Sequence, residues 1–102
     1  MDEALHQLRV AAGSAAYTFY RCQKSYIKAA REPFRRRSAE AMQALGECLK
    51  AAEAYQDALN DLWGGLLSAA PLSGREEELW RTMVSYEAVV SELHAIQMLV
   101  FG

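Results

Sequence analysis

Apolar residues recur at alternating spacings of three and four along three separate segments of this chain of 102 residues. Such spacing places side chains in one row on an α-helix, because seven residues complete about two turns. We call each such row a seam. The first segment is predicted to run from about Asp2 to Arg31, and Pro33 then ends or kinks it. Its seam consists of Leu5, Leu8, Ala12, Ala15, Phe19, Cys22, Tyr26 and Ala29.

Two further segments show the same pattern. The second is predicted to begin between Phe34 and Ser38 and to end at SAAPLSG. Its seam consists of Met42, Leu45, Leu49, Ala52, Gln56, Leu59, Trp63 and Leu66. The third follows SGREEE, where Ser73 and Glu76 have the spacing of a capping box. Its seam consists of Leu79, Met83, Tyr86, Val90, Leu93, Gln97 and Val100.

Three long helices joined by short connections predict an all-α fold, an antiparallel bundle formed by residues 1–102 as a single domain. Composition agrees, because the chain has only two prolines and six glycines, and β-branched residues are few. The glycines of Trp63-Gly64-Gly65 weaken the second helix locally. If that helix breaks there, a fourth short helix is expected.

Trp63-Gly64-Gly65 also resembles the W-x-G turn of the small secreted WXG proteins. Those proteins are two-helix hairpins with the motif near mid-chain, so the resemblance implies a turn at these residues. In this chain an extra long helix precedes the motif and a proline-containing loop follows it. The resemblance covers three residues, and we do not assign the chain to that family.

Basic residues are concentrated between residues 20 and 37, although the whole chain has a formal net charge of -2. At 100° per residue, the cations of the first helix fall opposite its seam. We call the following set the basic ridge: Tyr17, Arg21, Lys24, Lys28, Arg31, Arg35, Arg36 and Arg37. We expect the ridge to bind a partner. The alternative is a solvated face that forms cross-helix ion pairs with the acids of the second helix. Those acids are Glu40, Glu47, Glu53, Asp57 and Asp61.

The third helix carries apolar residues on a second side, away from its seam. Trp80, Val84 and Met98 lie roughly 90° or more from that seam, and we call them the apolar strip. A helix that is apolar on two sides is usually covered on two sides. We therefore predict that the strip binds another protomer or another protein. The alternative is that Trp80 and Met98 pack over the edge of the bundle.

The sequence holds no recognisable catalytic, cofactor-binding or metal-binding motif. The Trp63-Gly64-Gly65 stretch lacks the lysine and strand of a phosphate loop, and neither His6 nor His94 has a second ligand at helical spacing. Cys22 and Cys48 lie on or beside seams, where a thiol is unreactive. We expect two reduced thiols, with an interhelical disulfide as the alternative. The chain is therefore predicted not to be an enzyme and to need no cofactor.

These features favour a cytoplasmic protein-interaction module of the scaffold or adaptor kind, with self-association or a protein partner at the third helix. The alternative is a peripheral module that binds anionic lipids through the basic ridge. Nucleic acid is disfavoured as a partner, because the sequence pI is near 5.6. The start, MDEALHQLRV, has two acids and no signal-peptide core. The longest uncharged stretches are shorter than the ~18 residues that span a bilayer.

Overall fold

The computed structural model describes residues 3–32, 34, 38–69 and 74–101, with side chains as far as residue 98. Helix α1 spans Glu3–Ala29, α2 spans Ala39–Ser68 and α3 spans Glu76–Phe101. No strand occurs among the described residues. Both α1 and α3 pack on α2, and the molecule is elongated, with principal extents of 53, 22 and 14 Å. The predicted all-α bundle of three long helices is confirmed.

Short polar contacts mark where α2 and α3 begin. The Ser38 hydroxyl accepts a hydrogen bond from the N–H of Ala41 at 3.2 Å, which satisfies one free donor of the first turn. Gly74 has a φ of 89°, which glycine adopts without steric cost. Its N–H donates to Glu76 Oε2 at 3.2 Å. Ser73, the other half of the predicted capping box, lies outside the described residues.

The contact between α1 and α2 is antiparallel and covers most of both helices. Leu8, near the start of α1, lies against Gly65, near the end of α2. At mid-helix the ring centroids of Phe19 and Tyr55 lie 6.0 Å apart. All eight residues of the predicted α1 seam are buried or half-buried. The α1 seam is therefore confirmed, and a fully buried side chain such as Phe19 contributes roughly 1.5–3 kcal/mol.

The predicted α2 seam is confirmed except at its first residue. Met42 is 41% exposed, whereas its neighbour Ala41 is fully buried. Toward the other end of the seam, Leu59 and Trp63 line one cavity with Thr82 and Tyr86 of α3.

The predicted α3 seam is partly wrong. Thr82, Val89 and Ile96 are buried at intervals of seven, whereas Val90 and Gln97 of the predicted seam are exposed. Helix α3 is rotated so that two of its acids also reach α1. Glu78 accepts a hydrogen bond from Arg9, and Glu92 accepts one from Gln23. Because α3 carries apolar residues on most sides, the spacing of these residues does not show which side of the helix is buried.

The predicted break at the paired glycines does not occur. Helix α2 continues through Gly64 and Gly65 to Ser68, so no fourth helix and no W-x-G turn forms there. Gly65 instead marks a close approach of two helices. A Cβ atom added at Gly65 would lie 2.5 Å from Leu8 Cδ1, whereas one at Gly64 would meet nothing within 4 Å.

Leu66 and Leu67 allow a matched test of the α1–α2 core. Leu66 is 0% exposed and Leu67 is 48% exposed in the same turn of α2. Leu66→Ala leaves a cavity and should lower the free energy of unfolding by about 2–5 kcal/mol, measured by urea denaturation. Leu67→Ala should cost less than about 1 kcal/mol. Equal losses from the two variants would mean that α2 packs through a different face.

The two adjacent glycines provide a second test. Gly64→Ala should raise the free energy of unfolding by roughly 0.5–1 kcal/mol, because alanine favours helix and the new methyl group meets open space. Gly65→Ala should gain less or lose stability, because the tip of Leu8 must move. Thermal denaturation of both variants measures the difference. An equal gain in the free energy of unfolding at both positions would mean that the close approach of Leu8 to Gly65 has no effect on stability.

Candidate functional site

The described part of the basic ridge lies on the exposed side of α1 and, for Arg31, just past its last residue. Arg21, Lys24, Lys28 and Arg31 are exposed, and Tyr17 is 67% exposed. None of the four cations forms an ion pair with another described residue. Their exposure follows from the fold, because the opposite side of α1 packs on α2. Arg35, Arg36 and Arg37 lie outside the described residues.

Sequence reasoning missed two apolar residues among these cations. Ile27 is 57% exposed and Phe34 is 81% exposed, the largest exposed fraction among the described large hydrophobic residues. Ile27 lies one helical turn from Lys24, because residues three or four apart share a helix surface, and Arg31 lies two residues past the end of α1. Phe34 lies between α1 and α2, where no helical period predicts its orientation. Phe34 belongs to none of the three predicted seams, which was the one sign in the sequence that it is exposed.

The outer face of α2 has the opposite charge. Its acids are exposed, and Lys50 is the one basic residue within the helix. The exposed acids are Glu40, Glu47, Glu53, Asp57 and Asp61. In the described ranges they form no ion pair with the cations of the basic ridge. The cross-helix ion pairs of the alternative interpretation therefore do not form among the described residues.

The apolar strip of α3 is exposed but discontinuous. Trp80 is 61% exposed, Val84 is 45% exposed and Met98 is 58% exposed. Trp80 and Val84 are one turn apart, whereas Met98 lies about 21 Å further along the helix. The exposed polar residues Glu87 and Ser91 lie between them. The structure therefore brings Trp80 and Val84 together as one patch and leaves Met98 separate.

Two cavities follow from the way α3 packs. One of about 170 Å³ lies between α2 and α3 and is lined by Leu59, Asn60, Trp63, Thr82, Met83 and Tyr86. Another of about 250 Å³ is a groove between α1 and α3, with small residues such as Gly13 and Ala16 on its α1 side. Neither cavity includes a residue of the basic ridge or the apolar strip.

Two polar bridges join α1 to α3. Arg9 donates to both carboxylate oxygens of Glu78, from Nε to Oε2 at 2.7 Å and from Nη2 to Oε1 at 2.8 Å. Gln23 Nε2 donates to Glu92 Oε2 at 3.2 Å. The partners are 69 residues apart in both bridges, so the two helices run parallel and in register. The hydrogen bonds from Arg9 lower the pKa of the Glu78 carboxyl, which outweighs the opposing effect of burial.

One of the two cysteines, Cys48, is buried. Burial raises the pKa of the Cys48 thiol to about 11, with smaller contributions from Cys22 and Glu92. A thiol with this pKa is almost entirely protonated at neutral pH and reacts slowly. Both cysteines are free, and both histidines are exposed. Among the described residues no group of three or more His, Cys, Asp or Glu side chains is placed to hold a metal ion.

No family model, curated protein or solved structure matches this chain. Within the described residues, none of the helices combines the length and the apolar character needed to cross a membrane. The candidate sites are therefore defined by geometry and charge: the outer face of α1 and the Trp80–Val84 patch of α3.

The ion pair between Arg9 and Glu78 gives a pH-dependent prediction. Their side chains are 42% and 27% exposed, so Glu78→Gln should cost only about 0.2–1 kcal/mol at neutral pH. Because the pKa of Glu78 is lowered by folding, this stability is present above the ordinary pKa of 4.5 and is lost as pH falls through the lowered value. The cost of the substitution should therefore shrink in acid, measured by urea denaturation at a series of pH values.

Glu77→Gln is the control for that measurement. Glu77 also lies in the first turn of α3, but its side chain is 81% exposed and its contact with Arg81 is 3.7 Å long. Both substitutions remove a favourable charge near the helix N-terminus. If the two variants lose equal stability at neutral pH, the contact with Arg9 contributes nothing.

Proposed function

We propose that this chain is a cytoplasmic, non-enzymatic protein-interaction module of the scaffold or adaptor kind. Its protein contact is the exposed patch of Trp80 and Val84 on α3, where a partner protein or a second copy binds. The observation that carries the proposal is the 61% exposure of Trp80 beside the 45% exposure of Val84. Large aromatic residues are enriched among the residues that dominate interface energies.

The surroundings of the patch support this function. Glu77 and Arg81 pair across one turn at 3.7 Å, with side chains 81% and 71% exposed. Glu87, exposed, lies on the other side. An apolar centre with a polar rim is the usual anatomy of a protein interface, since the rim stays hydrated while the centre is covered. Met98 adds a second, separate contact further along the same helix.

The basic ridge contributes a second contact surface. Charge complementarity across an interface raises the rate of association and fixes orientation more than it raises affinity. The exposed cations of the ridge fit an anionic surface, whereas the exposed acids of α2 repel one. Two free cysteines, one of them in the core, support a reducing compartment such as the cytoplasm.

Trp80→Ala tests the proposed interface. We expect affinity capture with the full chain, followed by mass spectrometry, to recover proteins that the Trp80→Ala variant no longer retains. Sedimentation velocity of the purified chain and of the Trp80→Ala variant tests whether a second copy binds at the same patch. Loss of a central aromatic residue should weaken binding by at least about 2 kcal/mol, roughly 30-fold. The free energy of unfolding should change much less, because Trp80 is mostly exposed.

Leu67→Ala is the matched control, since Leu67 is 48% exposed on a different helix. This variant should retain every interaction of the unmodified chain. The proposal fails if Trp80→Ala and the unmodified chain capture the same proteins and have the same sedimentation behaviour.

A further inference from the structure

Exposed apolar side chains alternate with exposed cations at the end of α1. We call this set the α1 outer face: Arg21, Lys24, Ile27, Lys28, Arg31 and Phe34. Four of the six are cations: Arg21, Lys24 and Lys28 lie within about 10 Å of helix and Arg31 follows the end of α1, and no described residue pairs with them. The other two are the 57% exposed Ile27 and the 81% exposed Phe34. Positive charge and exposed apolar side chains therefore occur together over the last turns of α1 and the residues just after it.

We propose that the α1 outer face binds the surface of a membrane that contains anionic lipids. Cations near such a surface are attracted to the lipid phosphates and carboxylates. Apolar side chains beside them enter the boundary between headgroups and acyl chains. The proposal names the partner of the basic ridge, and it does not depend on the protein interface at Trp80.

The shape of this face favours lipid over a folded protein. The face consists of exposed side chains of one helix and of the residues that follow it, and the cavities described above lie between helices elsewhere. Ile27 and Phe34 are seven residues apart, each among cations, and do not form one apolar centre. A fluid lipid surface accepts apolar side chains that protrude singly, whereas a protein interface core gathers them together.

The distribution of acids favours one orientation. The exposed acids of α2 outnumber Lys50, the one cation of that helix. An anionic surface therefore attracts α1 and repels α2. Nucleic acid shares the phosphate chemistry, but backbone phosphates offer no apolar boundary for Ile27 and Phe34. This difference separates the two classes of partner in an experiment.

Cosedimentation with lipid vesicles tests the proposal. The full chain should bind vesicles of phosphatidylcholine with about one-third phosphatidylserine, and should not bind phosphatidylcholine alone. Binding should weaken steeply as salt rises above about 0.1 M. Lys24→Gln should reduce the partition coefficient about fivefold, whereas Lys50→Gln, the same change on α2, should leave it unchanged. Phe34→Ser should reduce it by at least about tenfold.

Lys24 and Phe34 are both exposed, and circular dichroism will show that the variants keep their helices. If Phe34→Ser fails to fold, the Lys24 and Lys50 pair still decides the outcome. The proposal is overturned by equal losses from Lys24→Gln and Lys50→Gln, by binding to homopolymeric RNA or duplex DNA without binding to vesicles, or by no vesicle binding at all. Trp80→Ala should retain vesicle binding, so this proposal and the proposed protein interface fail independently.

Discussion

The antiparallel contact between α1 and α2 is the interaction on which the rest of the structure depends. Phe19, Tyr26 and Cys48 are among its fully buried side chains, and Gly65 allows the helices to approach closely. Helix α3 packs on α2, but it reaches α1 mainly through the bridges at Glu78 and Glu92. Bridges of that kind contribute little, so the α1–α2 core supplies the surface that holds α3 in place.

How well each helix was predicted depended on how sharply its apolar and polar faces differ. Helix α1 has one apolar row and a polar remainder, so its buried face followed from spacing alone. Helix α3 has valines on several sides: Val89 is fully buried, whereas Val84 and Val90 are 45% and 44% exposed. Because valine occurs on both buried and exposed sides of α3, residue type does not distinguish the buried side. The bridges that accompany the observed rotation join residues far apart in the sequence, and no local pattern reveals them.

The candidate sites were predictable to the extent that they lie on regular helix. The cations of α1 were placed on the outer face because they lie opposite the seam, and they are exposed there. The apolar strip was predicted from angle alone, which ignored the distance along the helix between Val84 and Met98. Phe34 was missed because it lies between helices, where periodicity carries no information. Its exposure depends on where α1 ends and α2 begins.

The sequence pI of 5.6 argued against nucleic acid as a partner, but a whole-chain value does not describe a single face of the molecule. Charges in water act over about 8–10 Å at physiological salt, whereas the molecule measures 53 by 22 by 14 Å. Most acids lie on α2 and α3, and the exposed cations of the ridge lie on α1. A surface that approaches the exposed side of α1 therefore meets the ridge cations, while most of the acids lie on the other two helices. Net charge describes solubility, and the segregation of charge between helices determines which surface the chain can meet.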